Sequence, residues 1–332
     1  MGRERYGCYC GLFGVLHDLM STPNKDYTIT MGDNDYLSLV HHKDSSVFLS
    51  EFDPHTALEM DLAAWFSKDC YLAQSGYAAN VGVMHAVCTK GMHVYVDMFL
   101  HMSFYDGLAA RGAKLHPFKP NNAADLEPKV KKYGAGLIIV ESVYSTSGSF
   151  APLEDIVRIK KEHSCTLVVD ESHSFGLFGT QGLGLLHHKN LVADVDYITA
   201  SPAKAHATRA GIVFTKHAVF IKENSFPFIF SSGLVQNDIV RIRAMWDMNK
   251  VAKLVGGRKN TPCAIVGLAM KNEEKLSQLY RFLSDKGILA APFLAPATSP
   301  DHPFLRFTVH CDVSMEDAKT VEEWYATSKA RL

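Results

Sequence analysis

Two residues with complementary chemistry stand just beyond apolar runs. Asp170 and then His173 follow "TLVV" in TLVVDESHSFGLFG (166–179), and Lys204 lies in TASPAKAHATRAG (199–211), after another such run. A lysine placed beyond a strand within a crevice has its ammonium destabilised, which frees the amine as a nucleophile toward carbonyls. That points to a Schiff base. A buried aspartate facing it supplies what a pyridinium nitrogen needs, because the ion pair keeps such a ring protonated and electron-withdrawing. This is how pyridoxal 5'-phosphate (PLP) stabilises a carbanion.

A phosphorylated cofactor also needs backbone donors. In QSGYAANVG (74–82), Ser75, Gly76 and Tyr77 turn from an apolar run into a helix-like segment. The N–H groups at such a helix start point outward, and the glycine allows close approach. Ser201, and Ser231 with Ser232 in FSSG, add hydroxyl donors.

These residues require strands that end at a common edge. Short apolar or β-branched runs occur at 70–74, 92–97, 113–118, 136–142, 166–172, 196–201 and 211–216, and helix-like segments lie between most of them, such as SFYDGLAARG and PLEDIVRIKKEH. Such alternation predicts parallel strands joined by right-handed crossovers. An apolar run ending in acids is the carboxyl end of a strand buried on both faces, whose tip opens into a crevice. The last strand is expected to run antiparallel, since the link from 201 to 211 is too short for a helical crossover. From about 236 the pattern changes to a charged helix-like stretch, CAIVGLAM, a helix over 271–286, ILAAPFL, FLRFTVHC and a terminal helix over 314–330. The expected organisation is an arm over 1–45, a large α/β domain over 46–235 and a small α+β domain over 236–332.

Composition narrows the function classes. The 332 residues carry 34 basic and 35 acidic side chains, a formal net charge of -1, so no general attraction to nucleic acid or anionic membrane is expected. The seven scattered cysteines include no Cys-x-x-Cys pair, which argues against a disulfide framework or zinc ribbon and for a reducing, cytoplasmic setting. No segment reaches the ~20 apolar residues of a spanning helix, so a soluble protein is expected. His41-His42 and His187-His188 read as solvated turns rather than metal ligands, because adjacent residues seldom share a face.

NDYLSL (34–39), SGYAANVG (75–82), DMFLHMSFYDG (97–107), ESVYSTSGSFAPLEDI (141–156), VVDESHSFGLFGTQGLG (168–184) and Lys204 resemble, in this order, the α-oxoamine synthases, PLP enzymes of aminotransferase fold type I. The resemblance spans roughly 30–325. TASPAKAHATRAG, HPFKPNN and APATS are most similar to the α-hydroxyketone autoinducer synthases of quorum sensing. It implies a seven-stranded, mostly parallel sheet with a smaller C-terminal domain, and a homodimer with shared active sites.

The resemblance also implies roles. Lys204 would hold PLP covalently and later move protons, Asp170 would pair the pyridine nitrogen, His173 would bond the phenolic oxygen, and His101 would stack on the ring. Ser145 would sit beside the lysine linkage. Ser75, Gly76, Tyr77 and Ser201 would serve the phosphate, with Ser231 and Ser232 reaching the phosphate site of the other subunit. Asn34 and Arg306 would face substrate, Arg306 through a bidentate carboxylate contact. The implied reaction joins an acyl-CoA to an amino acid, or to S-adenosylmethionine, and yields an α-aminoketone that precedes a diffusible signal.

Two alternatives remain. The segments before Leu58 and before Cys263 are shorter than the family pattern, and Ala295 stands where an arginine is expected, which suits a catalytically silent partner protein. The other alternative is an ordinary α-oxoamine synthase of cofactor or lipid biosynthesis.

Overall fold

The structure, a computed structural model, describes residues 54–251, 263–295, 298, 303–308 and 319. The expected arm, Asn34, the His41-His42 pair and most of the terminal helix lie outside the described residues. Those described fall into two compact units, 54–142 with 152–251, and 143–151 with the residues from 263 onward.

In the first unit the chain runs α1 (Pro54–Phe66), β1 (Cys70–Ala73), α2 (Gly76–Val87), β2 (His93–Asp97), α3 (Met102–Arg111), β3 (Lys114–Phe118), α4 (Ala123–Tyr133) and β4 (Leu137–Glu141). It continues through α5 (Leu153–Glu162), β5 (Thr166–Asp170), α6 (Leu185–His188), β6 (Tyr197–Ala200), β7 (Gly211–Thr215), α7 (Ala218–Asn224), α8 (Phe226–Ile229) and α9 (Gln236–Val251). Every apolar run singled out in this region is a strand. Together they make a seven-stranded sheet in the order β1-β7-β6-β5-β4-β2-β3.

Neighbours from β6 through β3 pair in parallel, whereas β7 is antiparallel to both β1 and β6, as the short link before it required. The consequence for position is direct. The carboxyl ends of β1, β5 and β6 share one edge with the amino end of β7. Ala73 is paired with Gly211 there, and Ala200 with Ile212. That edge is where ligands bind in open α/β sheets.

All five residues of β4 are buried, as are the last four of β5, which is the signature of strands covered on both faces. The core includes Val83, Met84, Val94, Val96, Phe104, Leu108, Ile139, Val168 and Val213. Full burial of each large apolar side chain is worth about 1.5–3 kcal/mol, and this layer holds the site edge rigid. At the other margin, the edge strand β3 carries Pro117, tolerated because an edge strand lacks one hydrogen-bonding neighbour.

The second unit holds β8 (Ile265–Ala269), α10 (Glu273–Asp285), β9 (Ala291–Phe293) and β10 (Phe304–Thr308), with β10 antiparallel between β8 and β9. Asn272 caps α10 by accepting from the Lys275 amide at 2.9 Å. Leu276, Leu279 and Leu283, one stripe of that helix, pack with Met270, Ala290 and Leu305.

Candidate active site

The shared edge gathers several of the singled-out residues of the first unit. Gln74 and Ser75 leave β1, and Ser75 caps α2 by accepting from the Ala78 amide at 3.1 Å. The N–H groups of a helix start are suited to receiving an anion. A Cβ on Gly76 would stand 2.6 Å from Ser201 Cβ, so only glycine lets the helix start lie against the turn after β6. The same close packing recurs at Gly211, where a Cβ would come within 2.1 Å of the Ser75 carbonyl oxygen.

Lys204 sits in the turn between β6 and β7, its amide 3.3 Å from the Ser201 carbonyl. Its side chain is exposed and enters no ion pair among the described residues. The crevice expected to desolvate this lysine is therefore not formed around it within the described protomer, because the residues beside it, Ala203 and Ala205, are small and exposed themselves.

Asp170, at the tip of β5, is 5% exposed. Its Oδ1 accepts from the Ser172 amide at 2.8 Å and its Oδ2 from Asn80 Nδ2 at 2.9 Å. Both donors are neutral. A buried carboxylate usually has a cationic partner, and among the described residues Asp170 has none. The adjacent Glu171, fully buried, takes a different course. Burial pushes its carboxyl up to about 7, while its Oε1 accepts from Ser174 Oγ at 2.9 Å and the Leu186 amide at 3.0 Å. It ties the loop after β5 together and points its chemistry inward.

His101 caps α3, with Nδ1 facing the Ser103 amide at 3.3 Å and Ser103 Oγ at 2.8 Å. The exposed Tyr77 ring lies edge-on to His101, centroids 6.4 Å apart, and donates its hydroxyl to Asp106 Oδ2 at 2.9 Å. His173 is half-buried in the turn that follows Asp170. Ser231 and Ser232 are exposed, and Gln74 Nε2 donates to Ser231 Oγ at 2.9 Å and to the Ser232 carbonyl at 2.7 Å.

Ser145 and Arg306 belong to the second unit. There Arg306 Nη1 donates to the Ser145 carbonyl at 2.9 Å and its guanidinium stands 4.7 Å from the centre of the Phe293 ring, while Nε is buried without a partner among the described residues. Burial lowers the Arg306 pKa below its ordinary value. A half-buried guanidinium with an unused donor is suited to an anionic group.

The donor set fits PLP: a helix start for phosphate, a buried acid lacking a cation for a ring nitrogen, a primary amine on a neighbouring turn, and a histidine ring for stacking. Sequence reasoning missed Gln74, Asn80 and Ser103. Asn80 did leave a signal, since a lone amide within the otherwise apolar GYAANVGVMHAV must find a partner once that helix is buried. The His187-His188 reading needs amendment, because the half-buried His187 packs edge-on against Phe66 and Nε2 lies 3.2 Å from the Phe66 carbonyl oxygen.

The chain matches the aminotransferase class I and II family over residues 37–238. It is 35% identical to the CAI-1 autoinducer synthase of Vibrio campbellii over 87% of this chain and 84% of that protein. It is 27% identical to the serine palmitoyltransferase of Caulobacter vibrioides, over 96% and 91% of the two chains. Among solved structures, a serine palmitoyltransferase from S. paucimobilis with a bound PLP-myriocin aldimine superposes with a TM-score of 0.73 at 26% identity, covering 84% of this chain and 77% of that one.

Proposed function

Because the chain belongs to the aminotransferase class I and II family, as a PLP-dependent acyltransferase of the α-oxoamine synthase kind, we propose that it joins an acyl-CoA to an amino acid or S-adenosylmethionine, with release of free CoA and of the amino acid's carboxylate as carbon dioxide, giving an α-aminoketone that precedes an α-hydroxyketone signal. The observation that carries this reading is Asp170, a buried acid held by neutral donors alone on the sheet edge that also bears the Lys204 turn.

In this reading Lys204 holds PLP, the Gly76 and Tyr77 end of α2 with Ser75 and Ser201 receives its phosphate, and His101 and His173 flank its ring. Ser145 is assigned to the lysine linkage by the family resemblance. When bound, the cofactor supplies an electron sink for a carbanion at the carbon next to the amine. Lys204 Nζ takes the proton from that carbon and returns one at the end of the reaction. Asp170 keeps a negative charge where a ring N–H is needed, and its burial makes that charge effective because water cannot screen it. Arg306 orients a substrate carboxylate by paired hydrogen bonds, and Asn34 faces the same substrate. Ser231 and Ser232 reach the phosphate of a second protomer in a homodimer.

Identity of 35% to an autoinducer synthase supports the signalling product. The relatives among serine palmitoyltransferases and 8-amino-7-oxononanoate synthases support an ordinary biosynthetic enzyme as the second reading. Borohydride reduction of the PLP-treated protein, with peptide mapping, should label Lys204. Mass spectrometry of products from a panel of acyl-CoAs then separates the readings. Condensation of fatty acyl-CoAs with small amino acids or S-adenosylmethionine supports the first reading, whereas preference for a short dicarboxylic acyl-CoA, or formation of a serine-derived ketone alone, moves the protein to the second. An unlabelled Lys204 rejects both.

A further inference from the structure

We propose that Asn80 and Ser103 are positioning residues that bind the two proposed ring-facing side chains, Asp170 and His101, into one directional hydrogen-bonded chain. The proposal rests on the reading of the site as a PLP cleft. Asn80 is 3% exposed and Ser103 is fully buried, so neither is a solvated polar residue. Asn80 Nδ2 lies 2.9 Å from Asp170 Oδ2 and 3.0 Å from Ser103 Oγ, and Ser103 Oγ lies 2.8 Å from His101 Nδ1.

The direction of every bond follows from the end at Asp170. An ionised carboxylate can only accept, so the amide must turn its NH2 toward it, and the two amide hydrogens go to Asp170 and Ser103. Ser103 Oγ, already an acceptor, gives its own hydrogen to His101 Nδ1, and the Ser103 amide points at the same nitrogen at 3.3 Å. Nδ1 therefore accepts twice, and the ring proton rests on Nε2. Asn80 Oδ1 is buried with no partner among the described residues. Leaving such an acceptor unpaired is costly, and the arrangement persists because the opposite face of the amide meets both acceptors at once.

The chain joins three elements: the tip of β5, the middle of α2 and the start of α3. It does so without a charge. A lysine or arginine at position 80 would hold Asp170 equally well but would neutralise it, whereas an amide fixes the carboxylate and leaves its charge for a ring nitrogen.

The test begins with cofactor-free protein labelled with 15N-histidine. Two-bond proton–nitrogen correlations should show His101 protonated at Nε2, and Ser103→Ala should mix the two tautomers. Asn80→Asp keeps the shape but presents an acceptor where two donors stood. Its Kd for PLP, measured by equilibrium dialysis, should rise at least about tenfold, corresponding to about 1.4 kcal/mol, and the absorbance band of the bound cofactor should shift, while the apoprotein still melts in one transition. Lys204 labelled by borohydride in the parent, together with an Nδ1-protonated His101 or with parental Kd and spectrum in Asn80→Asp, overturns this proposal alone. No label on Lys204 in the parent overturns the cofactor reading, and the proposal with it. If Asn80→Asp fails to fold, the tautomer measurements on the parent and on Ser103→Ala decide.

Discussion

Two clusters of charge in the first unit are built on opposite plans. On the outer helices, Arg158 of α5 bonds Glu127 of α4 and Glu162 at 2.9 Å each, and Lys131 reaches the other oxygen of Glu127 at 2.7 Å. The Arg158 guanidinium beside Glu127 holds its carboxyl down to about 2. Ligand atoms of Glu127, Glu162 and His163 lie within 4.8 Å of one another, yet both glutamates are already paired with cations. At the sheet edge, Asp170 is buried and has only neutral donors, while the Lys204 amine stands exposed on a nearby turn. Exposed charges find partners cheaply, whereas burying an ionised acid without a cation costs stability, and such groups concentrate at functional sites. The unpaired cluster is the informative one.

The comparison can be broken at several points. Lys204→Ala should have the largest effect, with no borohydride-stable PLP label and product formation reduced below detection by mass spectrometry. Parental activity would mean that another amine carries the chemistry. Asp170→Asn should follow, with weaker PLP retention and turnover lower by about 100-fold, read from the absorbance spectrum and steady-state kinetics.

Glu171 tests a second kind of buried acid, one without a cation among the described residues and held within its own loop. Its carboxyl is raised from the ordinary 4.5 to about 7, so the folded state holds a proton that the unfolded chain releases. Stability from this group is fully present below pH 4.5 and is lost as pH rises to about 7, by an amount on the order of 3 kcal/mol. Denaturant melts of Glu171→Gln should therefore show a flatter pH dependence than the parent over that interval, and an identical slope would contradict the assignment. Arg158→Ala should have the smallest effect, leaving turnover at the parental level and Tm nearly so, because exposed ion pairs contribute little. A clear loss of activity would show that the outer cluster serves more than the surface.

Much of the sheet was legible because strands covered on both faces need near-continuous apolar runs, as in Leu137–Val140 of β4 and Leu167–Val169 of β5. The antiparallel course of β7 was legible too, from the length of one connection. Asp170 and Lys204 could be found from their place after apolar runs. Ser103 could not, and Asn80 signalled only that it needs a partner and not which one, since its partners lie 90 and 23 residues away in the chain. The exposure of Lys204 was hidden for the converse reason. A residue's solvation is set by whatever packs over it, and the alanines on either side of Lys204 are themselves exposed.

The position of β7 between β1 and β6 also bears on the order of assembly. Cys70 pairs with Phe214, so β1 gains its one sheet partner among the described residues from a strand made long after it. Such distant pairing delays folding, because a long loop must close before any contact rewards it. A nascent chain ending just short of Gly211 would already contain Asp170 and Lys204, yet it would lack the strand that ties the Ser75 helix start to their edge. Lys204 and Asp170 are thus present in the growing polypeptide before the Ser75 helix start can join them, and a truncation at that point should separate secondary structure from cofactor capture.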